Sequence, residues 1–117
     1  MSAPVVYIDD EPMLCRAFRA VMSSAEIPVE TFTDPLEALE YIGSHEVAVV
    51  FCDYRMPQLS GLQVLARVPE HVAFVLVSGD LDVATSAGQN GRVDRVLSKP
   101  YRPDDLLSVA RLYFPRN

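Results

Sequence analysis

The sequence is short of positive charge and of cysteine. Ten Lys and Arg stand against sixteen Asp and Glu in 117 residues, a formal net charge of −6. Direct binding of nucleic acid or of an anionic membrane needs a basic face, so this balance argues against both. Only two cysteines occur, Cys15 and Cys52, each among apolar neighbours. Two cannot make a disulfide framework or a zinc site. The expectation is a pair of buried, reduced thiols in a reducing compartment. No apolar run approaches the roughly 18 residues of a membrane helix. The opening Met-Ser-Ala-Pro lacks the charged-then-apolar plan of a secretory signal. The cytoplasm is therefore the expected location. No internal repeat or low-complexity stretch divides the chain.

What is present is a core. Half of the residues are hydrophobic and 22% are charged, a composition that folds rather than staying disordered. The length suits a single domain over residues 1–117. Short apolar runs alternate with helix-period segments. Val5-Val6-Tyr7-Ile8 reads as a strand ended by Asp9-Asp10-Glu11. A helix follows from Pro12 to about Ser24 with Leu14, Phe18, Val21 and Met22 on one face. Val29 to Phe32 is a second strand. Asp34 and Pro35 then read as the cap and first position of a helix that carries Leu36, Leu39 and Ile42 and stops at Gly43. Val47 to Cys52 is the clearest strand, ended by Asp53, with a turn-rich loop from Tyr54 to Ser60.

A short helix is expected from Gly61 to about Val68, with Leu62 and Leu65 inward, and a strand from Ala73 to Val77 ended by Ser78-Gly79-Asp80. Leu81 to about Gly91 is a weak helix, because glycines interrupt it. Arg95 to Ser98 is the fifth strand, ended by Lys99-Pro100. The last helix runs from Pro103 to about Phe114, with Leu106, Leu107, Val109, Ala110 and Tyr113 along it. Near-continuous apolar strands imply burial on both faces. The expected fold is an α/β doubly wound, five-stranded parallel sheet with helices on both faces, in the flavodoxin-like strand order 2-1-3-4-5.

The polar residues then fall in an informative place. Asp9, Asp10, Asp53, Ser78 and Lys99 all sit at carboxyl ends of expected strands, where open parallel sheets bind ligands. Alone, each has an ordinary explanation: a strand-end Asp is a cap or turn former, and Ser-Gly and Lys-Pro are turns. Those explanations do not account for the whole set in the order acid, acid, hydroxyl, amine. Two carboxylates about 4 Å apart repel by roughly 4 kcal/mol at an effective dielectric of about 20. A trio of them invites a hard, oxygen-seeking cation, and Mg²⁺ suits a site with one or two carboxylate ligands and several waters. The ion and Lys99 would lower the pKa of Asp53 and keep it nucleophilic. With Ser78 they would surround the oxygens of a transferring phosphoryl group. The set reads as an aspartate that accepts phosphate.

At these residues the sequence resembles the receiver domain of bacterial two-component response regulators, of which the chemotaxis regulator is the simplest member. The resemblance covers the whole chain. It is carried by Tyr7-Ile8-Asp9-Asp10-Glu11-Pro12, by Asp53-Tyr54-Arg55-Met56-Pro57 followed by Gly61, by Ser78-Gly79 and by Lys99-Pro100. It implies that Asp53 is the phosphoacceptor, taking phosphoryl from a histidine of a sensor kinase or phosphotransfer protein. It implies Mg²⁺ ligation by Asp10, Asp53 and the backbone carbonyl of Arg55, with Asp9 acting through water. Ser78 matches the switch hydroxyl, Lys99 would pair with the phosphoryl group, and the Lys99–Pro100 bond would be cis. The chain would then be a phosphoacceptor, not an enzyme. Phosphorylation would change the face of the last two helices and fifth strand, which would act on an output domain, a downstream protein or a second copy, with Tyr113 and Phe114 as candidate contacts.

Some features depart from the family pattern. Val96 stands where an aromatic switch residue is usual, three positions before the lysine, and Tyr101 is an aromatic with another role. The stretch from Gly61 to Ser78 is short by about a turn. The weak fourth helix suggests a surface of low local stability. Arg55 and Asp80 would flank the phosphorylation site and face each other across its mouth. Competing readings are fewer. A haloacid-dehalogenase-type phosphatase needs an acid two residues after the nucleophile, where Arg55 stands. A flavodoxin-like flavin carrier needs a phosphate-cradling loop where Asp9-Asp10-Glu11 would repel phosphate. A degenerate receiver that only scaffolds is the remaining alternative, kept open by Val96.

Overall fold

Val5–Ile8 forms β1 and all four of its side chains are buried, as two-sided burial requires of a central strand. The structure is a computed structural model in which residues 3–79 and 91–114 are described. Pro12 opens α1, Pro12–Ser24, with Glu11 at the cap position. β2 is Val29–Phe32. In α2, Pro35–Ser44, the Asp34 side chain accepts from the Leu36 N–H at 2.9 Å, as the sequence anticipates. β3 is Val49–Asp53, α3 is Gly61–Leu65, β4 is Ala73–Ser78, β5 is Arg95–Ser98 and α4 is Pro103–Ala110.

The five strands make one parallel sheet in the order β2-β1-β3-β4-β5. Helices cover both faces. Tyr7, Phe51, Val75 and Val77 pack with Phe18 and Met22 of α1 and Leu106 and Ala110 of α4 on one side. Val6, Ile8, Val50 and Leu76 pack with Ala38 and Ile42 of α2 and Val64 and Leu65 of α3 on the other. Both cysteines are free and buried. Among the described residues no helix is long and apolar enough to cross a membrane.

Element ends differ from the sequence expectations for local reasons. β3 starts at Val49 rather than Val47, because its partner β1 starts at Val5 and pairs Val5 with Val49. α2 passes through Gly43 and ends a residue later at Ser44, whose hydroxyl donates to the Glu40 carbonyl. α3 stops at Leu65, and the Arg67 and Val68 N–H groups bond three residues back to Val64 and Leu65. Pro69 disfavours helical geometry at Val68. Leu112 and Tyr113 likewise bond three residues back, ending α4 short of Phe114. On α1 the buried residues are Cys15, Phe18 and Met22, with Leu14 and Val21 only partly covered. The helix expected from Leu81 falls on residues 81–90, outside the described ones, as does Asp80 of the expected Arg55–Asp80 pair.

Candidate functional site

Parallel pairing decides which residues meet. Ile8 is in register with Cys52, so Asp9, directly after β1, and Asp53, the last residue of β3, emerge at one rim. This is also where strand order reverses, between β1 and β3. Asp53 is paired with Val77, which puts Ser78 at the same carboxyl edge. The Lys99 N–H donates to the Ser78 carbonyl at 2.9 Å and ties the end of β5 to that of β4. The Lys99–Pro100 bond is cis, as the resemblance implies.

The structure brings the carboxylates together. Asp9, Asp10 and Asp53 each offer an oxygen, and these lie within 4.8 Å of one another. Asp9 and Asp53 are buried, and Asp10 is the least buried of the three. The Lys99 ammonium is 3.0 Å from Asp53 Oδ1 and 3.7 Å from Asp9 Oδ2. Ser78 is buried at the end of β4, and Arg55 is exposed in the loop after β3.

The loop after β3 is held tightly to the strand ends. The Tyr54 N–H donates to the Val77 carbonyl at 2.9 Å, and the Gly61 N–H donates to the Tyr54 carbonyl at 2.8 Å. A Cβ at Gly61 would come within 2.6 Å of Leu76 Cδ1 and 2.9 Å of the Asp53 carbonyl oxygen. Only glycine lets α3 begin so close to the acidic strand. Ser60 then caps α3 reciprocally: its Oγ accepts from the Gln63 N–H, and its own N–H donates to Gln63 Oε1.

Electrostatically the site sets burial against charge. Burial raises the Asp53 pKa; the hydrogen bond and charge of Lys99 oppose it, and the neighbouring aspartates add to it. Without an ion the net direction is upward, because burial and the neighbouring aspartates exceed what the lysine returns; the lowered value expected from the sequence is for Lys99 together with a bound cation. Burial also works against the Lys99 charge, but the Asp53 hydrogen bond and the surrounding negative charge outweigh it and hold Lys99 above its ordinary range. Cys15, whose thiol donates to the Asp9 carbonyl, is pushed up to about 11 by burial and the Asp9 charge, so it is no nucleophile at neutral pH.

Two tyrosines belong to the site that sequence reasoning did not assign to it. The Tyr7 hydroxyl donates to Asp9 Oδ2 at 2.8 Å, and the Tyr101 hydroxyl lies 3.0 Å from that of Tyr7. The Glu11 N–H donates to the other oxygen, Asp9 Oδ1, at 3.0 Å. The signal for Tyr7 was the period of two along a strand, which puts residues 7 and 9 on one face. No comparable signal links Tyr101, which is distant in sequence. A hollow lined by Leu14, Lys99, Pro100 and Tyr101 opens beside the lysine.

The donor set is oxygen only, and it fits a hard divalent cation such as Mg²⁺. Comparison with known proteins agrees with this geometry. The family model for the response regulator receiver domain matches residues 5–111. Response regulator protein TmoT of Ectopseudomonas mendocina is 32% identical over 113 residues, covering 92% of this chain and 51% of TmoT. The chain thus spans about half the length of that relative. A response regulator receiver domain protein from Clostridium thermocellum superposes with a TM-score of 0.86 at 27% identity, covering 96% of this chain and 94% of that one. TrrA from Thermotoga maritima, in complex with Mg²⁺ and BeF, shares the fold with a TM-score of 0.86 at 19% identity over 96% of this chain and 99% of its own. With a match running from β1 to just past α4, this chain belongs to the response regulator receiver domain family.

Proposed function

We propose that the chain accepts a phosphoryl group on Asp53 from a phosphohistidine of a sensor histidine kinase or phosphotransfer protein, with Mg²⁺ bound, and so switches a protein-interaction surface. The observation that carries this reading is the Lys99 ammonium 3.0 Å from Asp53 Oδ1, beside two further carboxylates. Asp10, Asp53 and the Arg55 carbonyl would hold the ion. Asp9 would reach it through water, consistent with both of its oxygens already accepting hydrogen bonds. Bound Mg²⁺ supplies the positive charge that offsets clustered carboxylates and the transferring phosphoryl oxygens. TrrA, with its Mg²⁺ and BeF, supports that class of ligand on this fold.

Each side chain has a step. An Asp53 oxygen attacks phosphorus as the phosphorus–nitrogen bond of the donor breaks, and the imidazole leaves. Lys99 exchanges part of its contact with Asp53 for a phosphoryl oxygen, so its positive charge follows the incoming negative charge. The Ser78 hydroxyl turns toward the same group and donates to it. The added charge of about −1.5 to −2 biases a surface around β5 and α4. Val96, in register with Leu76 and packed on the α3 side of the sheet, offers no ring to follow Ser78. The linkage is therefore proposed to be at the low end of the typical range of about 1–3 kcal/mol.

The recipient is an output domain, a downstream protein or a second copy. The chain itself is a phosphoacceptor without turnover of a separate substrate, works in the cytoplasm, and binds neither nucleic acid nor membrane. The test is incubation with acetyl phosphate and Mg²⁺, followed by mass spectrometry. A gain of about 80 Da, labile to base and lost in Asp53→Asn, is expected. An unlabelled wild type would favour the scaffold reading that Val96 keeps open, and equal labelling of Asp53→Asn would contradict the assignment.

A further inference from the structure

We propose that Tyr7 and Tyr101 form a two-hydroxyl relay that positions the Asp9 carboxylate, with Tyr101 acting only through Tyr7. The inference rests on the Mg²⁺ reading above and names residues to which that reading gives no part.

The direction of the relay follows from proton counting. An ionised carboxylate only accepts, and a phenol has one proton. The Tyr7 proton goes to Asp9 Oδ2, so the bond between the two tyrosines is donated by Tyr101 to the Tyr7 oxygen. The chain of contacts is Tyr101 to Tyr7 to Asp9, with the Lys99 ammonium 3.7 Å from the same Asp9 oxygen.

The relay is built on rigid parts. Tyr7 is fully buried in β1, and its ring stacks on Phe18 with centroids 4.2 Å apart and an interplanar angle of 12°. Asp9 is also fully buried, and its second oxygen is held by the Glu11 N–H. Its carboxylate is thus fixed before any ion arrives. Fixing it in advance removes an ordering cost from ion binding. Removing the Tyr7 hydroxyl takes away the short hydrogen bond on Asp9 Oδ2 and leaves that oxygen facing the Lys99 ammonium 3.7 Å away, free to turn toward it and draw it from Asp53. Tyr101 lies between Pro100 and α4, so the relay also joins the β5–α4 connection to the acidic rim along a route separate from the Lys99 amine.

Phenylalanine is the informative substitution, because it keeps the rings and removes only the hydroxyls. Mg²⁺ is titrated by calorimetry into the wild type, Tyr7→Phe, Tyr101→Phe and the double variant, with folding checked by circular dichroism. Tyr7→Phe should bind Mg²⁺ about tenfold more weakly and Tyr101→Phe about threefold, the scale of one lost hydrogen bond. The double variant should be no weaker than Tyr7→Phe alone, since Tyr101 has nothing left to act through. A role in ring packing alone would leave both Phe variants at wild-type affinity and would overturn the relay, as would additive losses. If Tyr7→Phe does not fold, Tyr101→Phe decides: unchanged affinity removes the proposal. A wild type that takes up no Mg²⁺ removes the functional reading together with the relay; a binding wild type with unchanged variants removes the relay alone.

Discussion

Burial pushes the Asp53 carboxyl above its ordinary value of 3.8, and the Lys99 ammonium, though 3.0 Å away, does not fully reverse it. The sign of the consequence is fixed by linkage. Over the window from 3.8 up to the raised value, the folded chain holds a proton on Asp53 that the unfolded chain has lost. Without divalent ions, Asp53 therefore contributes a loss of stability as pH rises through that window. Asp53→Asn lacks this term, so its stability relative to the wild type should increase across the window and stay level on either side. Urea unfolding in EDTA at several pH values measures it; a constant difference would contradict the burial argument. At this scale Asp9, Asp10, Asp53, Ser78 and Lys99 were legible because each sits at a strand end, and one parallel topology carries all those ends to the same edge. Tyr7 could have been placed beside Asp9 by the period of two along β1, but Tyr101 could not: the meeting of the two hydroxyls depends on where ring tips project from a strand interior and a loop, which no spacing encodes. The upward push on Asp53 in the ion-free chain was not legible, because sequence shows which charges are near but not how much water is excluded.

Elements are where glycine separates two kinds of constraint. Gly61 begins α3 against the Asp53 carbonyl and Leu76, with no room for a methyl group. Gly61→Ala should destabilise the fold by about 1–3 kcal/mol through overpacking. Gly43 lies in α2 with nothing within 4 Å of a Cβ and no positive φ, so Gly43→Ala should stabilise by about 0.5–1 kcal/mol. Chemical unfolding of the pair checks both signs; destabilisation by both would mean that α2 is packed differently. The same glycines show the limit of local signals. Gly43 reads as a stop, yet the helix runs through it because the position is exposed and α2 is anchored elsewhere by the buried Ala38 and Ile42. β1, β2 and β5 were legible residue for residue. The start of β3 was not, since an apolar Val47 and Ala48 extend the pattern while the ladder begins only where β1 supplies a partner.

For the whole molecule, the sheet acts as a rigid frame that holds charges of one sign together, and the chain is already at −6. A bound cation should therefore stabilise the fold as a unit. At ten times its Kd, Mg²⁺ should raise the unfolding free energy by about 1.4 kcal/mol, a gain reversed by EDTA and reduced in Asp10→Asn. An unfolding midpoint insensitive to Mg²⁺ would mean that the carboxylates do not form an ion site. The fold class was legible from the alternation of apolar runs and helix-period segments, because two-sided burial leaves few other architectures. The central claim is that Asp53 itself carries the phosphoryl group. Its most direct measurement is borohydride trapping after phosphorylation by acetyl phosphate with Mg²⁺, which reduces an acyl phosphate to the alcohol and marks the residue for peptide mass spectrometry. The account predicts a homoserine at position 53 and unmodified carboxylates at Asp9 and Asp10; a reduced residue at either of those positions, or none at 53, would contradict it.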